Sequence, residues 1–100
     1  MLTLWTSKEV PEKETFCSKF LQGMVNRMTV SHHKYGKCSE AYPDRVNAIK
    51  NLEERLKIYK KTGNTELLMD VANFAMIEFM FPRHKKAHFR AMNSEETNLV

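Results

Sequence analysis

The sequence predicts an all-α protein, and three observations lead to that fold class. Only three Gly and three Pro interrupt 100 residues, so the chain has few natural breaks. Its composition, rich in Met, Lys and Glu, favours helix over strand. Apolar residues recur every three or four positions along most of its length. We therefore expect one domain, 1–100, with a three-helix core, a lead-in segment at 1–10, a short C-terminal appendage and a frayed tail at 93–100.

The first predicted helix begins at Pro11 and ends near His33. Its apolar stripe has a spacing of four residues and consists of Phe16, Phe20, Met24 and Met28. The stretch 31–43, SHHKYGKCSEAYP, is predicted to be the longest loop of the chain. Gly36 is expected to end the helix, because glycine adopts the left-handed conformation found after many helix ends.

The second predicted helix begins at Asp44 and ends at Thr62. Asp44 suits a first turn, where a carboxylate interacts favourably with the helix dipole. Gly63 is expected to close the helix. The apolar face consists of Val46, Ile49, Leu52, Leu56 and Tyr59. Because the link to the next helix is short, the two helices are predicted to form an antiparallel hairpin.

The third predicted helix, Asn64 to Phe81, is the most apolar stretch of the chain. From Leu67 onward its only strongly polar side chains are Asp70, Asn73 and Glu78. This pattern predicts a central helix buried on most sides and ended by Pro82; it is too short and too acidic for a membrane span. Two neighbouring helices cannot cover it all round, so we expect a homo-oligomer. The uncovered side chains would come from Phe74, Met76, Ile77, Phe79 and Met80.

A polar stripe on this apolar helix calls for a chemical explanation. Glu66, Asp70 and Asn73 lie at i, i+4 and i+7 and therefore share one face. With Glu53 of the preceding helix they form a set of oxygen donors, which is what Mg²⁺ prefers. A structural interpretation stays equally open. In that interpretation Glu66 is a first-turn acid, while Asp70 and Asn73 bond to Arg or backbone groups of the first helix.

The segment TELLMDVANFAMIEF resembles the acid-bearing helix of the MazG-like all-α nucleoside triphosphate pyrophosphohydrolases. In that family an E-x-x-D helix follows an E-x-x-E helix across a short turn, and together they bind Mg²⁺. This chain has E-x-x-x-D at Glu66 and Asp70, and the preceding helix offers Glu53 and Glu54 without an acid at 56 or 57. The stretch HHKYG at 32–36 is similar to a K-Y-G element of small phage-borne relatives.

The resemblance implies Mg²⁺-dependent hydrolysis of a nucleoside triphosphate to monophosphate and pyrophosphate, or nucleotide binding without turnover. Glu53, Glu66 and Asp70 would be the catalytic metal ligands. The candidate ligand-binding residues, which would contact phosphate or base, are His33, Lys34, Tyr35, Asn73 and Arg83.

Two further clusters carry weaker alternatives. His32, His33 and Cys38 include metal-ligating types, but structural zinc sites pair closely spaced ligands in both halves, so a polar loop is the simpler interpretation. The basic patch 83–90, RHKKAHFR, has the charge to contact nucleic-acid phosphates. A solvated basic tail is the preferred interpretation, and no recognised nucleic-acid motif accompanies the patch.

Charge and cysteine content bound the remaining possibilities. The net charge is +4 with a pI near 9.2, which suits a phosphate-bearing ligand or simple solubility. Cys17 and Cys38 form no CxxC pair and the N-terminus lacks the basic region of a signal peptide, so we expect a cytoplasmic protein with reduced thiols. The competing function is a non-catalytic interaction protein, such as a phage-encoded inhibitor or nucleotide sponge. It would use the basic end and the stretch 31–43.

Overall fold

A computed structural model describes residue 15 and residues 17–92; the lead-in segment 1–10 and the tail 93–100 lie outside it. In the described part every regular element is helical: α1 (Ser18–Tyr35), α2 (Cys38–Ala41), α3 (Ala48–Thr62) and α4 (Leu67–Met80). The all-α prediction is therefore confirmed. None of these helices combines the length and apolarity needed to cross a membrane.

The first helix differs from its predicted bounds at both ends. Thr15 and Cys17 are not helical, and α1 begins at Ser18. The helix continues to Tyr35, past the predicted end near His33. Gly36 follows it as the predicted helix-ending residue, with φ +89° and its N–H donating to the His32 carbonyl at 2.9 Å. The predicted loop 31–43 is wrong over two parts, because 31–35 belongs to α1 and 38–41 forms α2. No Gly or Pro precedes Gly36 in this stretch, so the helix continues until glycine ends it.

The second predicted helix begins later than expected. Asp44 lies in a turn before the helix, and α3 begins at Ala48. The cause is Asn47, whose side-chain oxygen accepts a hydrogen bond from the Lys50 N–H at 3.0 Å and so satisfies a free donor of the first turn. The far end is as predicted: Gly63 follows the helix in the left-handed conformation, with φ +73°.

The central position of α4 is confirmed, but its predicted burial is not. It packs against both α3 and α1. Among its side chains only Asn73 and Ile77 are buried. Phe79 is 74% exposed and Met80 46%, and both were expected to be uncovered, whereas Ile77, which was named with them, is buried. The two flanking helices, α1 and α3, cover two sides of α4 and leave its remaining surface exposed. Ala48 is the only other buried apolar residue in the described part of the chain.

Candidate functional site

A cleft of about 700 Å³ opens where α1, α3 and α4 meet, and we call it the central cleft. It combines charged and aromatic side chains from all three helices and from the turn after α2. The lining residues that bear on its chemistry are Arg27, Lys34, Tyr35, Tyr42, Arg55, Asp70, Asn73 and Phe74. Three of the five ligand-binding residues predicted from the sequence, namely Lys34, Tyr35 and Asn73, therefore lie in one place.

Asp70 is the centre of an ion-pair network in this cleft. One carboxylate oxygen lies 3.4 Å from Nε of Arg27 on α1, and the other lies 3.6 Å from Nε of Arg55 on α3. Glu66 joins through Nη2 of Arg27 at 3.2 Å. The side chains of Arg27, Arg55 and Asp70 are each about one-third exposed, so water screens these two pairs only partly, whereas Glu66 is 69% exposed. Asp70 thereby links the three long helices, in agreement with the structural interpretation of the stripe.

Asn73 is the most unusual polar group of the cleft, because it is only 5% exposed. Its Nδ2 donates to the Met24 carbonyl of α1 at 3.1 Å. Its Oδ1 is buried and has no hydrogen-bond partner among the residues that the structure describes. Buried acceptors are nearly always satisfied in native proteins. Asn73 is therefore held to α1 through its amide nitrogen, while its amide oxygen is the one buried side-chain acceptor without a partner among the described residues.

Aromatic rings form the apolar part of the cleft. The guanidinium of Arg55 lies 5.7 Å from the ring centroid of Phe74, which is cation–π distance. Burial, and secondarily the nearby Cys38 thiol, raises the pKa of Tyr42 above its usual value of about 10. Tyr42 is therefore a neutral hydroxyl at physiological pH, and it can donate or accept a hydrogen bond there.

The residues predicted to bind Mg²⁺ do not come together as the resemblance implies. Glu53 lines a separate, shallow cleft with Glu78 and Arg83, while Glu66 and Asp70 face the arginines. Across residues 17–92 no group of three His, Cys, Asp or Glu side chains is arranged to hold a metal ion. The donor set Glu53, Glu66 and Asp70 thus does not fit a shared divalent cation in this arrangement.

Two predicted ligand contacts lie away from the central cleft. His33 is exposed and does not line it. Arg83 donates from Nη1 to the Pro43 carbonyl at 3.2 Å and lines the shallow cleft instead. Successive residues of an α-helix point about 100° apart, so His33 faces a different side of α1 from Lys34, which lines the central cleft.

Sequence reasoning missed two residues of the cleft, Arg55 and Tyr42. A signal for Arg55 was available, because it lies three residues after Leu52 and four before Tyr59, on the apolar face of α3. A cation on such a face needs a carboxylate partner, and Asp70 is that partner. Tyr42 had no comparable signal, because its place depends on how the turn after α2 folds.

A second concavity lies along α1 and is lined mainly by apolar side chains. This groove has a volume of about 960 Å³ and includes Leu21, Met24, Val25, Met28 and Met76. Asn73 lies at its boundary with the central cleft, since it lines both. Asn73 therefore lies between the charged central cleft and this apolar groove.

Comparison with known proteins identifies no relative of this chain. No family model matches the chain, and no curated protein or solved structure is significantly similar to it. The functional assignment therefore depends on the geometry of the clefts.

Proposed function

We propose that this protein binds a nucleotide, or a closely related aromatic phosphate, in the central cleft without hydrolysing it. The observation that carries the proposal is the combination of cations and aromatic rings in the lining of one cleft. A base offers a planar face to the rings, and a phosphate supplies negative charge for the cations.

The size and charge of the cleft support this ligand class. Ligand pockets usually measure about 300–1,000 Å³, and the central cleft at about 700 Å³ lies within that range. Its charged lining has the three cations Arg27, Lys34 and Arg55 against the single carboxylate of Asp70. The two arginines already pair with acids. Lys34 pairs with no acid in the described part of the chain, so it is the cation available to a phosphate.

The aromatic side chains supply the matching surface for a base. Tyr35 is 78% exposed at the end of α1, and Tyr42 and Phe74 line the same cleft. Planar rings favour offset stacking or edge-to-face contact with other rings. A base placed among them can make such contacts.

Binding without turnover is favoured over the hydrolysis that the MazG-like resemblance implies. A pyrophosphohydrolase of that kind needs carboxylates free to hold Mg²⁺ on the phosphates. Here Asp70 and Glu66 are neutralised by arginine, and Glu53 lies in another cleft. A nucleotide sponge, one form of the interaction protein expected from the sequence, agrees better with this arrangement.

Isothermal titration with a panel of nucleoside mono- and triphosphates, in Mg²⁺ and in EDTA, tests the proposal. We expect binding that persists in EDTA and no release of pyrophosphate. Lys34→Met should weaken binding about tenfold, the effect of losing one charge-assisted contact of roughly 1.4 kcal/mol. Lys60→Met removes an exposed lysine outside the cleft and should leave affinity unchanged.

Two results would contradict it. One is the absence of binding by every nucleotide at millimolar concentration. The other is Mg²⁺-dependent pyrophosphate release, which would restore the catalytic role of Glu53, Glu66 and Asp70.

Self-association is a second proposed property, supported by the apolar surface left outside the core. The short link 63–66 supports an antiparallel α3–α4 hairpin, and such a hairpin with α1 leaves one side of the bundle open. Large apolar side chains that stay exposed include Leu21, Val25, Val30, Ile49, Ile58 and Met80. A second copy of the chain would cover part of them. Sedimentation velocity over a dilution series should show a concentration-dependent dimer, and a monomer at all concentrations would exclude it.

A further inference from the structure

The segment after α4 forms a surface that the proposed function does not use. We call it the basic–aromatic surface and define it by Phe79, Arg83, Lys85, Lys86 and Phe89. Phe79 is 74% exposed and Phe89 is 81% exposed, and the three basic residues are exposed as well. None of the five lines the central cleft. Its chemistry therefore needs its own explanation.

Charge is concentrated in this part of the chain. The stretch 83–92 contains four Lys or Arg residues and no Asp or Glu. Those four equal the formal net charge of the entire chain, +4, so the remaining residues are balanced overall. A basic excess confined to one segment indicates a local anionic partner rather than a general contribution to solubility.

The two phenylalanine rings form an open corner. Their centroids are 6.4 Å apart and their planes meet at 84°. A flat heterocycle can stack on one ring while its edge meets the face of the other, which is the preferred geometry for aromatic groups. An acyl chain gains no comparable benefit from two perpendicular rings. The corner therefore favours a planar partner.

Hydrogen bonds hold the segment against the helices. The Arg83 N–H donates to Oε2 of Glu78 at 2.8 Å, and the Arg83 guanidinium donates to the Pro43 carbonyl at 3.2 Å. A turn follows, in which the Ala87 N–H donates to the His84 carbonyl at 3.1 Å. This turn brings Phe89 back to Phe79 on α4. The surface is thus preorganised, which lowers the entropic cost of binding.

We propose that the basic–aromatic surface binds single-stranded nucleic acid, with bases stacked on Phe79 and Phe89 and phosphates near Lys85 and Lys86. Proteins that bind single strands without sequence preference combine these two elements, a cationic track and aromatic stacking platforms. Cations distributed along a segment match a chain of phosphates better than one free nucleotide. The stretch 81–92 is not helical, so it does not present the amphipathic helix by which many peripheral proteins lie on lipid.

Fluorescence anisotropy with labelled oligo-dT and oligo-U of about 12 nucleotides tests the proposal on the full chain. We expect binding at about 50 mM salt that weakens as salt rises, because each phosphate contact to a single strand adds roughly −0.7 to the slope of log K against log salt. Lys85→Ala with Lys86→Ala should make the slope less steep by about 1.4. The pair Lys60→Ala with Lys61→Ala on α3 removes equal charge elsewhere and should leave the slope unchanged.

Substitutions at Phe89 separate stacking from simple hydrophobicity. Phe89→Leu should weaken binding roughly 5- to 100-fold, the range for loss of one base-stacking contact, whereas Phe89→Trp should retain it. Because Phe89 is exposed, circular dichroism should show an unchanged helical content for both variants.

Three outcomes would overturn the proposal. They are no binding to either oligonucleotide at about 50 mM salt, equal affinity of Phe89→Leu and the unaltered chain, and binding to phosphatidylserine vesicles without binding to oligonucleotides. The nucleotide titration on the central cleft is independent, so either proposal can fail alone.

Discussion

Asp70→Asn tests whether the central carboxylate stabilises the fold or serves a metal. The substitution keeps the shape of the side chain and removes its charge, so both arginine pairs lose their Coulombic part. Partly exposed ion pairs contribute roughly 0.5–1 kcal/mol each, and Asp70 makes two such pairs, with Arg27 and Arg55. We therefore expect the free energy of unfolding to fall by about 1–2 kcal/mol.

Thermal denaturation followed by circular dichroism measures this loss. In a domain of this size 1 kcal/mol corresponds to roughly 4–8 °C in Tm, so the expected decrease is about 5–15 °C. Glu54→Gln is the matched control, because Glu54 is exposed and forms no ion pair within the described residues. Its free energy of unfolding should stay within about 0.5 kcal/mol of that of the unaltered chain. In about 1 M salt, where the Debye length is ~3 Å, the difference caused by Asp70→Asn should shrink.

A double-mutant cycle makes the test specific to one pair. Arg55→Met removes the second partner of Asp70, and the cycle with Asp70→Asn should give a coupling energy of about 0.5–1 kcal/mol. An unchanged or higher Tm for Asp70→Asn, together with loss of a Mg²⁺-dependent response to nucleotide, would refute the reasoning. That pair of results would show that the carboxylate serves a metal instead.

Three further predictions concern the helix ends and the turn after α2. In a urea titration, Gly63→Ala should lower the free energy of unfolding by about 1 kcal/mol, because Gly63 has φ +73° and a β-carbon is disfavoured there. Gly63→Asn should lower it by less, because Asn tolerates this conformation better. Asn47→Ala should cost about 1 kcal/mol by loss of the cap on the Lys50 N–H, and a change within experimental error in chemical denaturation would contradict this role. Ultraviolet titration should show a tyrosine that ionises above pH ~10, and Tyr42→Phe should remove that step. Because the pKa of Tyr42 is raised in the folded chain, its contribution to stability is complete below pH ~10 and declines as pH rises toward the folded pKa. If Tyr42→Phe lost as much stability at alkaline pH as the unaltered chain, this would be contradicted.

The sequence by itself determined the helical class, the approximate bounds of the long helices and several of their ends. Local chemistry carries this information, since Gly36 and Gly63 end helices whatever surrounds them. The stripe of Glu66, Asp70 and Asn73 was also predictable, because helical periodicity places these residues on one face. Such features depend on neighbours a few positions apart.

The partners of that stripe were decided only by tertiary structure. Whether Asp70 meets arginine or a metal depends on which faces of α1 and α3 turn toward α4, and packing of whole helices fixes that rotation. The same packing separates Glu53 from Asp70 and leaves Oδ1 of Asn73 without a partner among the described residues. It also buries Ile77, which was expected among the side chains that the neighbouring helices would leave uncovered. Contacts between residues 40 or more positions apart, such as Arg27 with Asp70, follow from the burial of whole helix faces, and local sequence patterns do not specify them.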